Sequence, residues 1–303
     1  MITRELLKQH NLLPAPMEGV MRPVVISACN ALNLTGIWIT PFFRVSESVP
    51  KLRELKKFMA PFGADGVKVI LQLMGTDPEK LAETARRGME AGADGIDLNC
   101  GCPSNQVVRH GAGAGSMRSF DNTARIIEAI RNALPQTFFS IKTRLGFENT
   151  TEAEVFLPLW ENAGSPDLFT LHYRTAREGY RQIPGRNERL KAAAGLLKNA
   201  LVFGNGDISS AAEAASLELK CCLDGVLIGR GFWRDPWIVR RNYDTAPELP
   251  SPDIARRQLW QLLKDQPYTP GVWSRGNAIE MASLIWGYDS PEAQRLKSEF
   301  KLK

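Results

Sequence analysis

Short, nearly unbroken apolar runs recur along this chain, and between them lie longer stretches whose apolar positions return every three or four residues. The short runs occupy 12–16, 37–40, 68–73, 95–99, 138–143, 167–172, 201–205 and 224–228. Their β-branched, near-continuous apolar character predicts strands covered on both faces of a parallel sheet. The stretches 78–91, 122–134 and 211–219 are amphipathic with helical period. Eight strand–helix alternations in about 230 residues predict an α/β fold, a (β/α)8 TIM barrel. An open doubly wound sheet is the alternative.

The rhythm changes near the end of the chain. Residues 246–252, Ala-Pro-Glu-Leu-Pro-Ser-Pro, hold three prolines and break any helix, which predicts a linker. Beyond it, 253–265 and 277–286 carry helical patterns, and Ser290-Pro-Glu-Ala opens a third helix with a capping serine and a proline at the first helical position. The expected division is a barrel over 1–245 and a small helical C-terminal domain over 246–303.

In such barrels functional side chains come from the C-terminal ends of the strands and the loops after them. The polar residues of this chain fall at those places. Ala15-Pro-Met-Glu-Gly19 closes the first run, Gln72 sits in the third, and Asn99-Cys-Gly-Cys-Pro-Ser104 follows the fourth. Lys142 and Arg144 belong to the fifth, His172 to the sixth, Asn205-Gly-Asp207 to the seventh and Gly229-Arg230 to the eighth. Polar groups in apolar strands are costly to bury without partners, so their gathering at one mouth predicts a site. The last two loops are glycine turns on adjacent strands. Glycine lets backbone N–H groups approach phosphate oxygens and Arg230 adds a fixed cation, so a phosphate is expected there.

Composition narrows the setting. Hydrophobic residues make up 44% and charged residues 23% of the 303, an ordinary globular balance that excludes a disordered or fibrous chain. The net charge of +5 suits a polyanionic partner without requiring one. Cys29, Cys100, Cys102, Cys221 and Cys222 form no disulfide framework, which predicts a reducing compartment. They lack zinc-ligand spacing, so no metal is expected. There is no signal-peptide pattern and no long apolar run, which predicts a cytoplasmic protein without a membrane span. A monomer is expected.

Five separated motifs resemble the tRNA-dihydrouridine synthases, with the bacterial C subgroup nearest in pattern. They are Ala15-Pro-Met-Glu-Gly-Val20, Leu98-Asn-Cys-Gly-Cys-Pro-Ser104, Ser140-Ile-Lys-Thr-Arg-Leu-Gly146, the stretch from His172 through Arg174-Thr175 to Gly179-Tyr180, and Ile228-Gly-Arg-Gly231. The resemblance covers roughly 12–240. It implies an enzyme that binds FMN at the barrel mouth, takes hydride from NADPH, and reduces uridine in the D-loop region of tRNA to 5,6-dihydrouridine. The cysteine that delivers a proton to C5 of the uracil then matches Cys102, and a thiol, ordinarily protonated at neutral pH, is a chemically sensible acid. The alternative for Cys102 is a small buried hydrophobe. Cys100 has no catalytic match and reads as structural.

The resemblance also implies that Pro16, Met17, Gln72, Lys142 and His172 contact the flavin, with Lys142 stabilising its reduced form. A core histidine is the other reading of His172. Asn205, Gly206, Asp207, Gly229 and Arg230 match ribityl and phosphate contacts. Asn99, Arg144 and Tyr180 match residues that hold the flipped uracil, as an amide, a guanidinium and an aromatic ring suit that base. Arg177 belongs to a basic stretch, 174–191, that suits an RNA backbone, unless the stretch is simply solvated.

Some positions depart from the family's pattern. Thr40-Pro41-Phe42 lacks the usual carboxylate, Asn105 stands where a basic residue is common, Tyr173 replaces a glycine and Asp207 a glutamate. Ala278-Ile-Glu-Met lacks the lysine and tryptophan expected of a tRNA-contacting helix. Two other functions fit the same residues: a flavin reductase of a free pyrimidine or another small unsaturated substrate, and a paralogue that binds RNA or flavin without turnover.

Overall fold

A computed structural model of the protein describes residues 2–243 and 249–301. Among the described residues nine strands, all parallel, form one sheet: β1 (Leu12–Pro14), β2 (Ile37–Ile39), β3 (Phe43–Arg44), β4 (Lys68–Met74), β5 (Gly95–Cys100), β6 (Phe139–Arg144), β7 (Leu168–His172), β8 (Leu201–Asn205) and β9 (Gly225–Ile228). The order β1-β9-β8-β7-β6-β5-β4-β2 brings β1 and β2 side by side, which makes the sheet a nearly closed barrel. The expected barrel is therefore present, with one strand more than the sequence pattern shows. Pro41 accounts for that strand. Proline has no N–H for the ladder, so the expected run at 37–40 ends as β2, paired with Lys68–Ile70, and pairing resumes beyond it in β3, which no expected run covered, beside Leu73 and Met74.

Alternation along each strand separates two cores. Leu13, Ile70, Phe138, Leu168, Leu201, Phe203 and Leu227 belong to a buried cluster inside the barrel. α1 (Arg4–Gln9) adds Leu7 to it. Their strand neighbours Leu12, Leu71, Ile141, Phe169, Val202 and Val226 belong to a second cluster shared with the surrounding helices. That outer layer comprises α2 (Pro23–Ala31), α3 (Leu52–Met59), α4 (Pro78–Glu90), α5 (Asn105–Val108), α6 (Phe120–Ala133), α7 (Ala153–Gly164), α8 (Arg186–Ala194) and α9 (Ala211–Cys221). Caps set where several of them start. Asp77 accepts from Lys80 N at 3.0 Å with Pro78 in the first turn, and Ser210 accepts from Glu213 N at 3.1 Å.

After β9 come α10 (Arg230–Arg234) and α11 (Ile238–Tyr243), then α12 (Pro252–Lys264), α13 (Arg275–Trp286) and α14 (Pro291–Lys301). The first part of the expected linker, 246–248, lies outside the described residues. α12 packs on α2, and α13 packs on α10 and α12. Leu259, Trp260, Leu263, Trp273, Met281 and Ile285 bury themselves in the cluster that also holds Trp38, Phe232 and Trp233. The C-terminal helices thus continue the barrel's outer core. Among the described residues no helix is long and apolar enough to cross a membrane.

Candidate active site

A cavity of about 720 Å3 opens at the C-terminal ends of the strands. Its wall includes Pro16 and Met17 after β1, Gln72 on β4, Asn99 on β5, Cys102 after it, Lys142 and Arg144 on β6, and His172 on β7. Asn205, Gly206 and Asp207 from the end of β8, Gly229 and Arg230 after β9, and Tyr180 complete the set read from the sequence. The structure brings all of these together. Arg177 is the exception: it is not on the wall, and its Nε donates to Glu148 at 2.5 Å.

Hydrogen bonds fix most of the polar side chains. Lys142 Nζ donates to Asn205 Oδ1 at 3.1 Å, and Asn205 Nδ2 donates to Leu227 O at 2.8 Å. Burial, helped by Arg144, pulls the Lys142 ammonium down to about 8. His172 is held well below its ordinary value by burial and by the cations Arg144, Lys142, Arg174 and Arg230, so it is a neutral imidazole. Its Nδ1 accepts from Arg174 N at 3.3 Å, which leaves the proton on Nε2. Arg144 donates from Nε to Gly101 O at 2.9 Å and from one terminal nitrogen to Thr175 O and Gly179 O at 2.9 and 2.8 Å. It therefore ties the Cys102 loop to the loop of Tyr180, and its second terminal nitrogen keeps two N–H donors.

The two thiols after β5 differ sharply. Cys100 is 1% exposed, and burial pushes it up to about 12, so it is an inert part of the core. Cys102 stands on the cavity wall. Its backbone N–H and that of Gly101 donate to Asn99 Oδ1 at 3.0 and 3.1 Å, and its carbonyl accepts from Ala114 N at 2.9 Å. Gly113 makes that approach possible, with φ +54 and space so tight that a Cβ would lie 2.9 Å from Cys102 O.

Tyr173 and Asp207 meet beside the cavity. Tyr173 Oη donates to Asp207 Oδ2 at 2.8 Å, and the same carboxylate is bonded by Arg174 and, through Oδ1 at 2.7 Å, by Arg230. Burial opposes ionisation of Asp207, but these partners hold its carboxyl below the usual value. The Asp207 carboxylate offsets the charge of Arg174, which is 1% exposed, and the neutral Tyr173 phenol adds a hydrogen bond to that carboxylate.

The basic stretch 174–191 is correspondingly less free than its sequence suggests. Arg174 pairs with Asp207, Arg177 with Glu148, Arg186 with Glu213 and Arg189 with Glu178. Arg181 bonds the backbone carbonyls of Arg177 and Glu178. Carboxylates on other segments answer three of these cations, and Glu178 within the stretch answers a fourth.

Sequence reasoning assigned no role to several residues of the wall, among them Glu18, Phe42, Gln182, Arg234 and Glu280. Glu18 lies within a motif that was visible. Glu280 comes from α13, so only the packing of that helix on α10 brings it to the mouth.

A profile of the family described as Dihydrouridine synthase (Dus) matches residues 13–268. The chain is 31% identical over 258 residues to the tRNA-dihydrouridine(16) synthase of Haemophilus influenzae, covering 80% of this chain and 79% of that protein. It is 31% identical over 255 residues to the enzyme of the same name from Escherichia coli K12, covering 80% and 78%. Among solved structures it resembles the old yellow enzyme from Trypanosoma cruzi, with TM-score 0.55 at 11% identity over 85% of this chain and 94% of that one. It also resembles a 2-naphthoyl-CoA reductase, with TM-score 0.59 at 12% identity over 78% and 50%. At such identities these structures share the fold.

Proposed function

The chain belongs to the dihydrouridine synthase family, and from that premise we propose that it reduces uridine 16 of tRNA to 5,6-dihydrouridine, with FMN in the cavity and NADPH as electron donor. Position 16 follows the names of the relatives. The same reading gives 1–245 the catalytic role and 246–303 a part in holding tRNA in the cytoplasm.

The cavity fits a flavin mononucleotide by size and by chemistry. Its volume of about 720 Å3 lies in the range of cofactor pockets. Gly206 has φ +118, and a Cβ there would meet the Tyr173 ring at 2.7 Å, so that turn needs glycine for its shape as well as for close approach of a ligand. Pro16, Met17, Gln72, Lys142 and His172 would hold the ring system, and Asn205, Gly206, Asp207, Gly229 and Arg230 the ribityl phosphate. When bound, the flavin supplies the hydride that C6 of the uracil receives. Cys102 Sγ gives its proton to C5, and the thiolate that remains is reprotonated from solvent. Asn99, Tyr180 and the free donors of Arg144 orient the base, while Lys142 keeps positive charge beside the reacting centre.

The observation that carries this reading is the convergence of Cys102, Lys142, His172, Asn205 and Arg230 on one cavity wall. Mass analysis of tRNA incubated with the protein, FMN and NADPH tests it. Dihydrouridine at position 16 is the expected product. Its absence together with failure to take up FMN rejects the reading, and reduction only of free pyrimidine assigns the cavity to a small substrate.

A further inference from the structure

Beneath the cavity, Asp97 and Ser140 start a chain of polar side chains that ends in Gln72 and Asn99 on the cavity wall, and no step of the reaction uses Asp97 or Ser140 directly. Asp97 on β5 is 1% exposed. Its Oδ1 accepts from Ser140 Oγ at 2.5 Å and its Oδ2 from Gln72 Nε2 at 2.8 Å. Gln72 Oε1 then accepts from Asn99 Nδ2 at 2.9 Å. Asn99 Oδ1 in turn accepts from the backbone N–H groups of Gly101 and Cys102. The register places the members side by side, Gln72 beside Asp97 and Asp97 beside Ser140.

The direction of every bond in this chain follows from its first member. An ionised carboxylate only accepts, so the NH2 end of Gln72 must face Asp97. That leaves Gln72 Oε1 to face Asn99, which must therefore present its own NH2, and Asn99 Oδ1 is left for the loop. A side-chain amide has no preference of its own between its two ends. If Asn99 were inverted, its NH2 would face two N–H donors and the loop would lose its acceptor. We propose that Asp97 is a positioning residue whose charge sets the polarity of the Gln72 and Asn99 amides and thereby fixes the loop that carries Cys102. The inference rests on Cys102 being the proton donor, and it explains why a carboxylate stands where the surroundings disfavour one. Burial lifts Asp97 to about 6 despite the hydrogen bonds of Ser140 and Gln72 and the charge of Lys142. A residue serving only the fold would be more comfortable as an amide.

The test compares Asp97→Asn with the double variant Asp97→Asn/Gln72→Glu. Both are made in a Cys222→Ser background, because Cys222 is exposed while Cys29, Cys100 and Cys221 are buried. The readout is the rate of Cys102 alkylation by iodoacetamide at matched flavin content, with a thermal melt of each protein. Asp97→Asn removes the charge that sets the direction, and the alkylation rate is expected to change at least fivefold with no fall in melting temperature. In the double variant the carboxylate introduced at position 72 accepts from both neighbours, so Asn99 regains its orientation and the rate is expected to return to within twofold of the parent. An unchanged rate in Asp97→Asn, a lower melting temperature, or no recovery in the double variant overturns the proposal. Alkylation is read without turnover, so a protein inactive on tRNA leaves this test intact.

Discussion

Lys142 shows what burial does to a single cation in this site. Its ammonium is brought down to about 8, so the cation is full at pH 7 and is lost as pH rises through that value. FMN is an anion, and its affinity is expected to fall between pH 8 and 9.5 in flavin-free protein titrated by fluorescence quenching. Lys142→Arg, charged throughout that range, is expected to remove the fall. A flat profile in the parent would show that Lys142 does not hold the anion. Asp207 carries a different load, because it neutralises a nearly fully buried Arg174. Asp207→Ala is expected to cost about 3–5 kcal/mol in urea unfolding, as an unpaired buried charge does. Tyr173→Phe, which removes one hydrogen bond, is expected to cost about 1 kcal/mol. The sequence made such residues visible when they were polar interruptions of apolar runs, as Lys142, His172 and Asn205 are. Asp97 and Ser140 interrupt runs in the same way, but a side chain that acts only on its neighbours matches no chemistry by itself. Arg177 shows a different limit, because sequence displays a charge and hides its partner: Glu148 lies 29 positions away.

The secondary-structure elements were the most legible feature, because strands covered on both faces leave long apolar runs with polar ends. The run at 201–205 matches β8 to the residue, and the others agree to within two residues at each end. The one structural departure has a local cause, the missing N–H of Pro41, which divides β2 from β3. The loops between elements were less legible, since their conformation depends on contacts from elsewhere. Gly113 is an instance. Its positive φ is needed because the segment Gly113–Arg118 is drawn onto the Cys102 loop through the Ala114 amide. Gly113→Ala is expected to destabilise the protein by about 1–3 kcal/mol. It should slow the Cys102-dependent step more than flavin reduction by NADPH. Equal slowing of both, or of neither, would separate this loop from the chemistry.

Across the whole molecule, the helices after β9 are bound to the barrel by a common apolar core. Trp260, Trp273, Met281 and Ile285 are buried with Trp38, Phe232 and Trp233. A protein ending at residue 245 would expose that face, and it is expected to lose its cooperative thermal transition or to aggregate. A sharp transition near that of the full chain would show that the barrel stands alone. The sequence pointed to the helices but not to this union, since a core shared between distant segments has no local pattern. The same packing brings Glu280 to the mouth, so the C-terminal helices help to shape the cavity. The central claim is that Cys102 is the proton donor of that cavity, and stopped-flow spectroscopy of the two half-reactions of Cys102→Ala tests it most directly. Reduction of the bound flavin by NADPH is expected to proceed at nearly the parent rate, whereas reoxidation by unmodified tRNA is expected to slow by about 10²–10⁴-fold, the usual contribution of one general acid. Equal loss in both half-reactions, or parent-like reoxidation, would contradict the account.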